Sequence, residues 1–320
     1  MELVQFTFQA NPDAVGYFHP EDECCTALYS ACSAKVPSWE VIKFLLIAGD
    51  LSLLSATNFM NFTALTVLLQ NPGVSLNIIK LFYEWEKSLF TRVTKGGITA
   101  LHTVCSSGVG NSINEFIIEK FPEMMEIGCL ARDYTPLHVC LSVANMREDV
   151  ITLLAEKGPM AIAQCSKQNG LSPFCTACSD RRTPSEVIET LVFNYPFQKM
   201  DLVGVVGIST TTINSLFQGL NYNLYVKELN ILHCKFSESA SIVLFECLAK
   251  NDTLETFCFD STSITWTYLV YDCINRLCAS SATFCSLFCP TRRAGDAVGE
   301  GVFRSSGCTS ILRNVGSVQN

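Results

Sequence analysis

Charge is scarce in this sequence. Asp, Glu, Lys and Arg make up 16% of 320 residues, against the usual quarter or so. The net charge is −8 and no cluster of lysines and arginines stands out. Nucleic acid and anionic membrane are therefore poor partners, because both are held by grouped cations. Histidine is scarcer still, with four residues: His19, His102, His138 and His233. An uncharged apolar run of about 18 residues, the length a bilayer demands, is missing. The oily stretch 264–290 carries Asp272 and Arg276. The opening MELVQFTFQANPDAV lacks a basic segment followed by an apolar one, so no secretory signal is expected. The 17 cysteines are then expected to be reduced thiols that fill space as small hydrophobes. A phosphate loop is also lacking: GVVGIST has neither the glycine spacing nor the lysine of one. No cysteine stands in a recognised nucleophile setting, and catalysis is not expected.

What the chain has in quantity is apolar residues, 48% of the total, enough for a large core or for two modules. They are arranged periodically. CTALYSAC at Thr26 is echoed by FTALTVLL at Thr63, ITALHTVC at Thr99, YTPLHVCL at Thr135 and LSPFCTAC at Ser172, with steps of 37, 36, 36 and 37 residues. A near-constant step over five copies signals a repeat array. Each copy has a second half: EVIKFLL, NIIKLFY, SINEFII, DVITLLA and EVIETLV. Its leading apolar residue (Val41, Ile78, Ile113, Val150, Val187) falls 14 or 15 residues after the anchor. The apolar spacing is that of one helix face. Each unit is thus predicted to be a short helix capped by Thr or Ser, a loop, a second helix and a connector. Pro136 and Pro173 stand in the first turn, where a missing N–H costs nothing. Each connector ends in a turn pair: Met60-Asn61, Gly96-Gly97, Arg132-Asp133 and Asn169-Gly170. Gly-Gly and Asn-Gly suit a hairpin with positive φ.

This pattern resembles the ankyrin repeat, whose mark is Thr-Pro-Leu-His-x-Ala after a hairpin turn. The step is three or four residues longer than is usual for that family, so longer loops are expected. The resemblance implies that His102 and His138, which share one slot in adjacent units, are structural residues bridging neighbours. Thr66 and Cys175 take that slot in two departing units. Cys32, Cys105 and Cys178 share a further slot with Leu69 and Leu141, which marks it as a packing position. Cys175 and Cys178 form a lone CxxC, short of the four ligands zinc usually takes.

After about residue 200 the step is lost. Val226-x-x-Leu229-x-Ile231-x-x-Cys234-x-Phe236 recurs 28 residues later as Leu254-x-x-Phe257-x-Phe259-x-x-Thr262-x-Ile264. This resembles the leucine-rich repeat of ribonuclease-inhibitor type. DLVGVVGIS fits an earlier unit only loosely, and TWTYLVYDCINRL has lost the helix spacing. Two units are too few to stand alone. The Gly/Ser-rich text from Thr291 offers no capping helix, so the segment reads as cut short and its tail as disordered.

The expectation is a mainly α protein: a lead-in over 1–20, five ankyrin-like units over 21–200, a short α/β leucine-rich segment over 201–265, then a degenerate helix and tail over 266–320. Its expected role is that of a monomeric cytoplasmic or nuclear scaffold that binds another protein, with no catalysis, cofactor or metal. The expected contacts are Phe59, Met60, Lys95, Arg132 and Asn169 on the hairpin tips and Thr103, Ser106, Val139 and Ser142 on the groove side of the first helices. The alternatives are a metal or redox protein built on Cys273, Cys278, Cys285 and Cys289, and a membrane tether over 264–290.

Overall fold

Five hydroxyls begin five helices. The computed structural model describes residues 2–16, 26–49, 51–58, 60–130, 132–144, 146–260, 263–280 and 300–303. In it Thr26, Thr63, Thr99, Thr135 and Ser172 are extended residues whose side-chain oxygens accept from the backbone N–H three residues on, at 3.1–3.5 Å. That satisfies a donor the helix start would otherwise leave orphaned. Pro136 and Pro173 occupy the first helical position.

The chain is mainly helical and divides into two compact units, Met1–Gly158 with Ser166–Gln168, and Pro159–Cys165 with Asn169–Asn320. The first unit contains α1 (Glu2–Ala10), α2 (Ala27–Ser33), α3 (Trp39–Ala48), α4 (Leu51–Ser55), α5 (Ala64–Gln70), α6 (Leu76–Trp85), α7 (Ser88–Thr91), α8 (Ala100–Ser106), α9 (Asn111–Lys120), α10 (Pro136–Ser142) and α11 (Glu148–Lys157). First helices pack on first helices (α2 on α5, α5 on α8, α8 on α10) and second on second (α3 on α6, α6 on α9, α9 on α11). Leu28, Leu65, Leu101 and Leu137, one from each first helix, are buried at these contacts, as are Cys32, Leu69, Cys105 and Leu141 one turn on.

The longer step does not produce longer loops. The additional residues form α4, α7 and a 3-10 turn at Pro122–Glu126. They bury Leu53, Leu54, Leu89, Phe90, Met124 and Met125, and Phe90 stacks on Phe121 with ring centres 5.3 Å apart. Burying large apolar side chains outweighs leaving the connector solvated.

The second unit contains a 3-10 turn at Pro159–Ala163, α12 (Pro173–Ser179), α13 (Ser185–Phe193), β1 (Lys199–Asp201), α14 (Thr210–Leu220), β2 (Glu228–Asn230), α15 (Glu238–Lys250), β3 (Thr256–Asp260), α16 (Tyr268–Ser280) and β4 (Glu300–Phe303). Strands β1, β2 and β3 are parallel, with Met200, Leu229 and Phe257 in one buried row. The step from Leu229 to Phe257 is the one the sequence showed. The loosely fitting DLVGVVGIS joins β1 to α14, and its Leu202, Val205 and Ile208 are buried. TWTYLVYDCINRL, which had lost its spacing, ends in a helix, α16. Strand β4 pairs antiparallel with the outer edge of β3. The disordered reading of the tail therefore needs correction at 300–303, where an open strand edge offers a template for pairing. The remaining tail positions, 281–299 and 304–320, lie outside the described residues.

The contacts do not divide near residue 200. The fifth helix pair, α12 and α13, belongs to the second unit. Helix α13 lies so close on α14 that a Cβ at Gly219 would stand 2.7 Å from Val192 Cβ and 2.9 Å from the Glu189 carbonyl. Buried Asn223 donates from Nδ2 to the carbonyls of Val192, Phe193 and Tyr195, at 2.7–3.2 Å. It thereby satisfies the end of α13 from the following loop.

Two stability outcomes follow. Leu137→Ala should cost about 2–5 kcal/mol in urea melts through lost transfer energy plus a cavity; a loss under about half a kilocalorie would contradict its place in the core. Gly219→Ala should cost about 1–3 kcal/mol by overpacking against Val192, where an open helix position would gain from the same change.

Candidate partner-binding surface

The expected β-hairpins are tight turns without paired strands among the described residues, and their tips turn on residues with positive φ: Asn61 at 65°, Gly97 at 74°, Asp133 at 56° and Gly170 at 69°. Each is the second member of a turn pair read from the sequence. Short polar side chains and glycine tolerate this region best. Gly97 has a further reason, because a Cβ there would meet the Leu130 backbone nitrogen at 2.6 Å. That close approach belongs to a set of hydrogen bonds running from tip to tip. Lys95 N–H donates to Met60 O at 3.2 Å, Leu130 N–H to Gly96 O at 2.9 Å, and Asn61 Nδ2 to Val93 O at 2.7 Å.

The histidines tie the tips to the helices. His102 Nδ1 receives the Thr99 backbone N–H at 3.3 Å and contacts Thr99 Oγ1 at 2.8 Å. A backbone N–H can only donate, so Nδ1 is the acceptor. The proton then sits on Nε2, which donates to the carbonyl of Tyr134 at 2.7 Å, in the next hairpin. His138 repeats the local half with Thr135, at 3.1 and 2.9 Å, and its ring stacks on Tyr134. In the departing slot Thr66 completes the cap with Thr63. Burial lowers the pKa of His102, with the Tyr134 hydrogen bond opposing it. Both rings are structural parts, each buried and held at its helix start.

Of the expected contact residues, Met60, Lys95 and Arg132 stand exposed on the tips, Met60 at 40%. Arg132 lies 5.7 Å over the ring of Tyr134. Asn169 is exposed but belongs to the second unit, where its side chain receives the Leu171 N–H. Phe59 lies outside the described residues. Thr103 needs correction: it is buried, and its hydroxyl donates to Thr99 O at 3.1 Å. Ser106 and Ser142 are exposed, yet their hydroxyls donate to Thr103 O and His138 O of their own helices. Val139 is half-buried. A short hydroxyl bonded back to its helix has little left for a partner.

Two residues were missed. Leu130, on the third tip, is 78% exposed, and Lys167 extends from the next connector with its side chain 86% exposed, 3.2 Å from Asp133. The turn pairs pointed to the tips, but only one or two positions of each tip were taken. Gly128, Leu130, Arg132, Asp133, Lys167 and Gln168 enclose an open recess of about 250 Å³.

Charge separates the faces of the first unit. Helices α2, α5, α8 and α10 contain no Lys, Arg, Asp or Glu. Helices α3, α6, α9 and α11 expose Glu40, Glu84, Glu115, Glu119, Glu148, Asp149 and Glu156 beside Lys43, Lys80, Lys120 and Lys157. Burial pushes the thiols of Cys105 and Cys178 well up, away from the thiolate form a nucleophile needs. Among the described residues no group of three or more His, Cys, Asp or Glu could hold a metal. Cys273 is buried; Cys285 and Cys289 lie outside the described residues, and nothing is described of the Cys278 side chain. No described helix is long and apolar enough to cross a membrane; in α16, Asp272 and Arg276 pair at 3.0 Å.

No family model matches the chain, and neither does any curated protein. Among solved structures it is similar to one chain of a complex between a predatory endopeptidase and an immunity protein from Bdellovibrio bacteriovorus, with 16% identity and a TM-score of 0.44 over 58% of this chain and 89% of that one. A likeness of that size carries no argument about activity or partner.

The histidine geometry has a pH consequence. A folded-state pKa held below the ordinary 6.5 means that the unfolded chain binds the proton first. This contribution to stability is complete above about pH 6.5 and falls as the pH drops below it. Replacing His102 with Gln should lower the melting temperature at pH 7.5 and flatten the wild-type decline between pH 7 and pH 5; equal declines in both proteins would show that His102 does not titrate on unfolding.

Proposed function

We propose that the chain is a protein-interaction module, an ankyrin-type array joined to a leucine-rich segment, that binds another protein through its hairpin tips and the adjoining first helices. The observation that carries this reading is the separation of duties within the first unit. Caps, leucines and the two histidines, of which His102 bridges to the next turn, are buried and spent on the fold, whereas Met60, Lys95, Leu130 and Arg132 project from turns whose backbone is already satisfied. Side chains free of core duty on turns already held by backbone hydrogen bonds can bind with little loss of backbone entropy. Large apolar residues and arginine are the types that carry interface energy. The raised thiol pKa values and the ring nitrogens committed to structure support a binding role over a catalytic one.

The test is affinity capture from an extract, using the full-length chain. Met60→Ser with Arg132→Ala should lose the captured partner while the melting temperature shifts by less than the effect of about 1 kcal/mol. Lys43→Ala with Glu119→Ala, on the second helices, should keep it. The reverse pattern would place the docking face on the second helices.

A further inference from the structure

We propose that the tip face takes an extended acidic segment of a partner protein, seating a carboxylate side chain between Arg132 and Lys167 and an apolar side chain over Leu130; this rests on the tips being the docking face. The chain as a whole is acidic, at −8, yet its tips are not. The hairpin segments 58–62, 93–98, 128–134 and 166–168 contain Lys95, Arg132 and Lys167 and a single carboxylate, Asp133. Asp133 is paired to Lys167. Among the described residues Lys95 and Arg132 have no ion-pair partner.

The recess supplies shape as well as charge. Its walls are Gly128, Leu130, Arg132, Asp133, Lys167 and Gln168; the one carboxylate among them, Asp133, is offset by Lys167 at 3.2 Å, which leaves Arg132 as the uncompensated charge. The Arg132 guanidinium lies 5.7 Å from the centre of the Tyr134 ring, and a guanidinium is the side-chain cation that can make two parallel bonds to a carboxylate. Leu130 at the rim is 78% exposed, an apolar contact that ion pairing alone would not call for. Nucleic acid is the other polyanion, and it fits worse. Single strands are held by free aromatic faces and by grouped cations. Here Tyr134 already lies against Arg132 and His138, and the cations are one to a tip.

The experiment uses the full-length chain and a labelled glutamate-rich peptide interrupted by leucines, read by fluorescence anisotropy at low salt. The expected Kd is about 10–100 μM, weakening as salt screens the contacts. Arg132→Glu with Lys167→Glu should weaken it by about tenfold or more, and Lys43→Ala, on a second helix, should not. A peptide with every glutamate replaced by glutamine should not bind. A leucine-free glutamate peptide should bind several-fold more weakly, and Leu130→Ser should erase that difference. Thermal melts confirm that each variant folds. The proposal is overturned by no binding to the glutamate–leucine peptide, by equal binding of the glutamine peptide, by indifference to the charge reversal, or by tighter, equally tip-dependent binding of a single-stranded RNA. If the peptide fails while partner capture still depends on Met60 and Arg132, the acidic occupant is wrong and the docking face stands; if capture is independent of the tips, the face itself is wrong.

Discussion

The rest of the first unit depends on what one histidine ring does at both of its nitrogens. Nδ1 of His102 receives the backbone N–H of Thr99, and Nε2–H reaches the carbonyl of Tyr134, 32 residues on. The ring therefore fixes where a helix begins and where the next hairpin stands. Only the neutral tautomer with its proton on Nε2 can do both, and burial, which disfavours the charged form, keeps it so. With the third hairpin held, its Leu130 N–H meets Gly96 of the hairpin before it. The spacing of the tips, and hence any site they form, is set from below by buried groups.

Much of this was legible because the signals are local. A capping hydroxyl, the apolar residue two places on and a turn pair lie within about a dozen residues of one another, and each dictates backbone geometry by its own chemistry. All four turn pairs put positive φ on their second residue, and the step from Leu229 to Phe257 became the strand register. What could not be read was long-range. Gly219 sits inside α14, where glycine is merely a poor helix former; its purpose is visible only when Val192 and the Glu189 carbonyl stand against it. The docking of α13 on α14 follows from that contact, and with it the placing of the fifth pair in the second unit. Thr103 failed for a related reason, since position on a helix face does not reveal that a hydroxyl will turn back to Thr99 O.

The cysteines show how one residue type can mislead by abundance. Cys32 and Cys105 fill the slot that Leu69 and Leu141 fill elsewhere, and all four are buried. In the second unit Cys178 joins Leu202, Ile208, Leu216, Leu229 and Phe236 around one apolar pocket, and Cys234 gives its proton to the Leu202 carbonyl at 2.6 Å. Burial raises the thiols of Cys32, Cys105 and Cys178 rather than activating them. They behave as small hydrophobes with a weak donor to spare.

The distribution of charge follows from the same economy of space. A first helix has neighbours on two sides, so a full charge at its buried positions would be desolvated without a partner, at a cost of several kcal/mol; α2, α5, α8 and α10 have none even at exposed positions such as Ser106 and Ser142, which hold short hydroxyls instead. The second helices keep one face in water and take both signs of charge. The tips are constrained only in their backbone, which leaves their side chains as the one part of the repeated element that is free to differ from copy to copy. They differ in kind: methionine on the first, lysine on the second, leucine and arginine on the third. Of the cations at the tips, Lys167 is paired to Asp133, whereas among the described residues Lys95 and Arg132 form no ion pair.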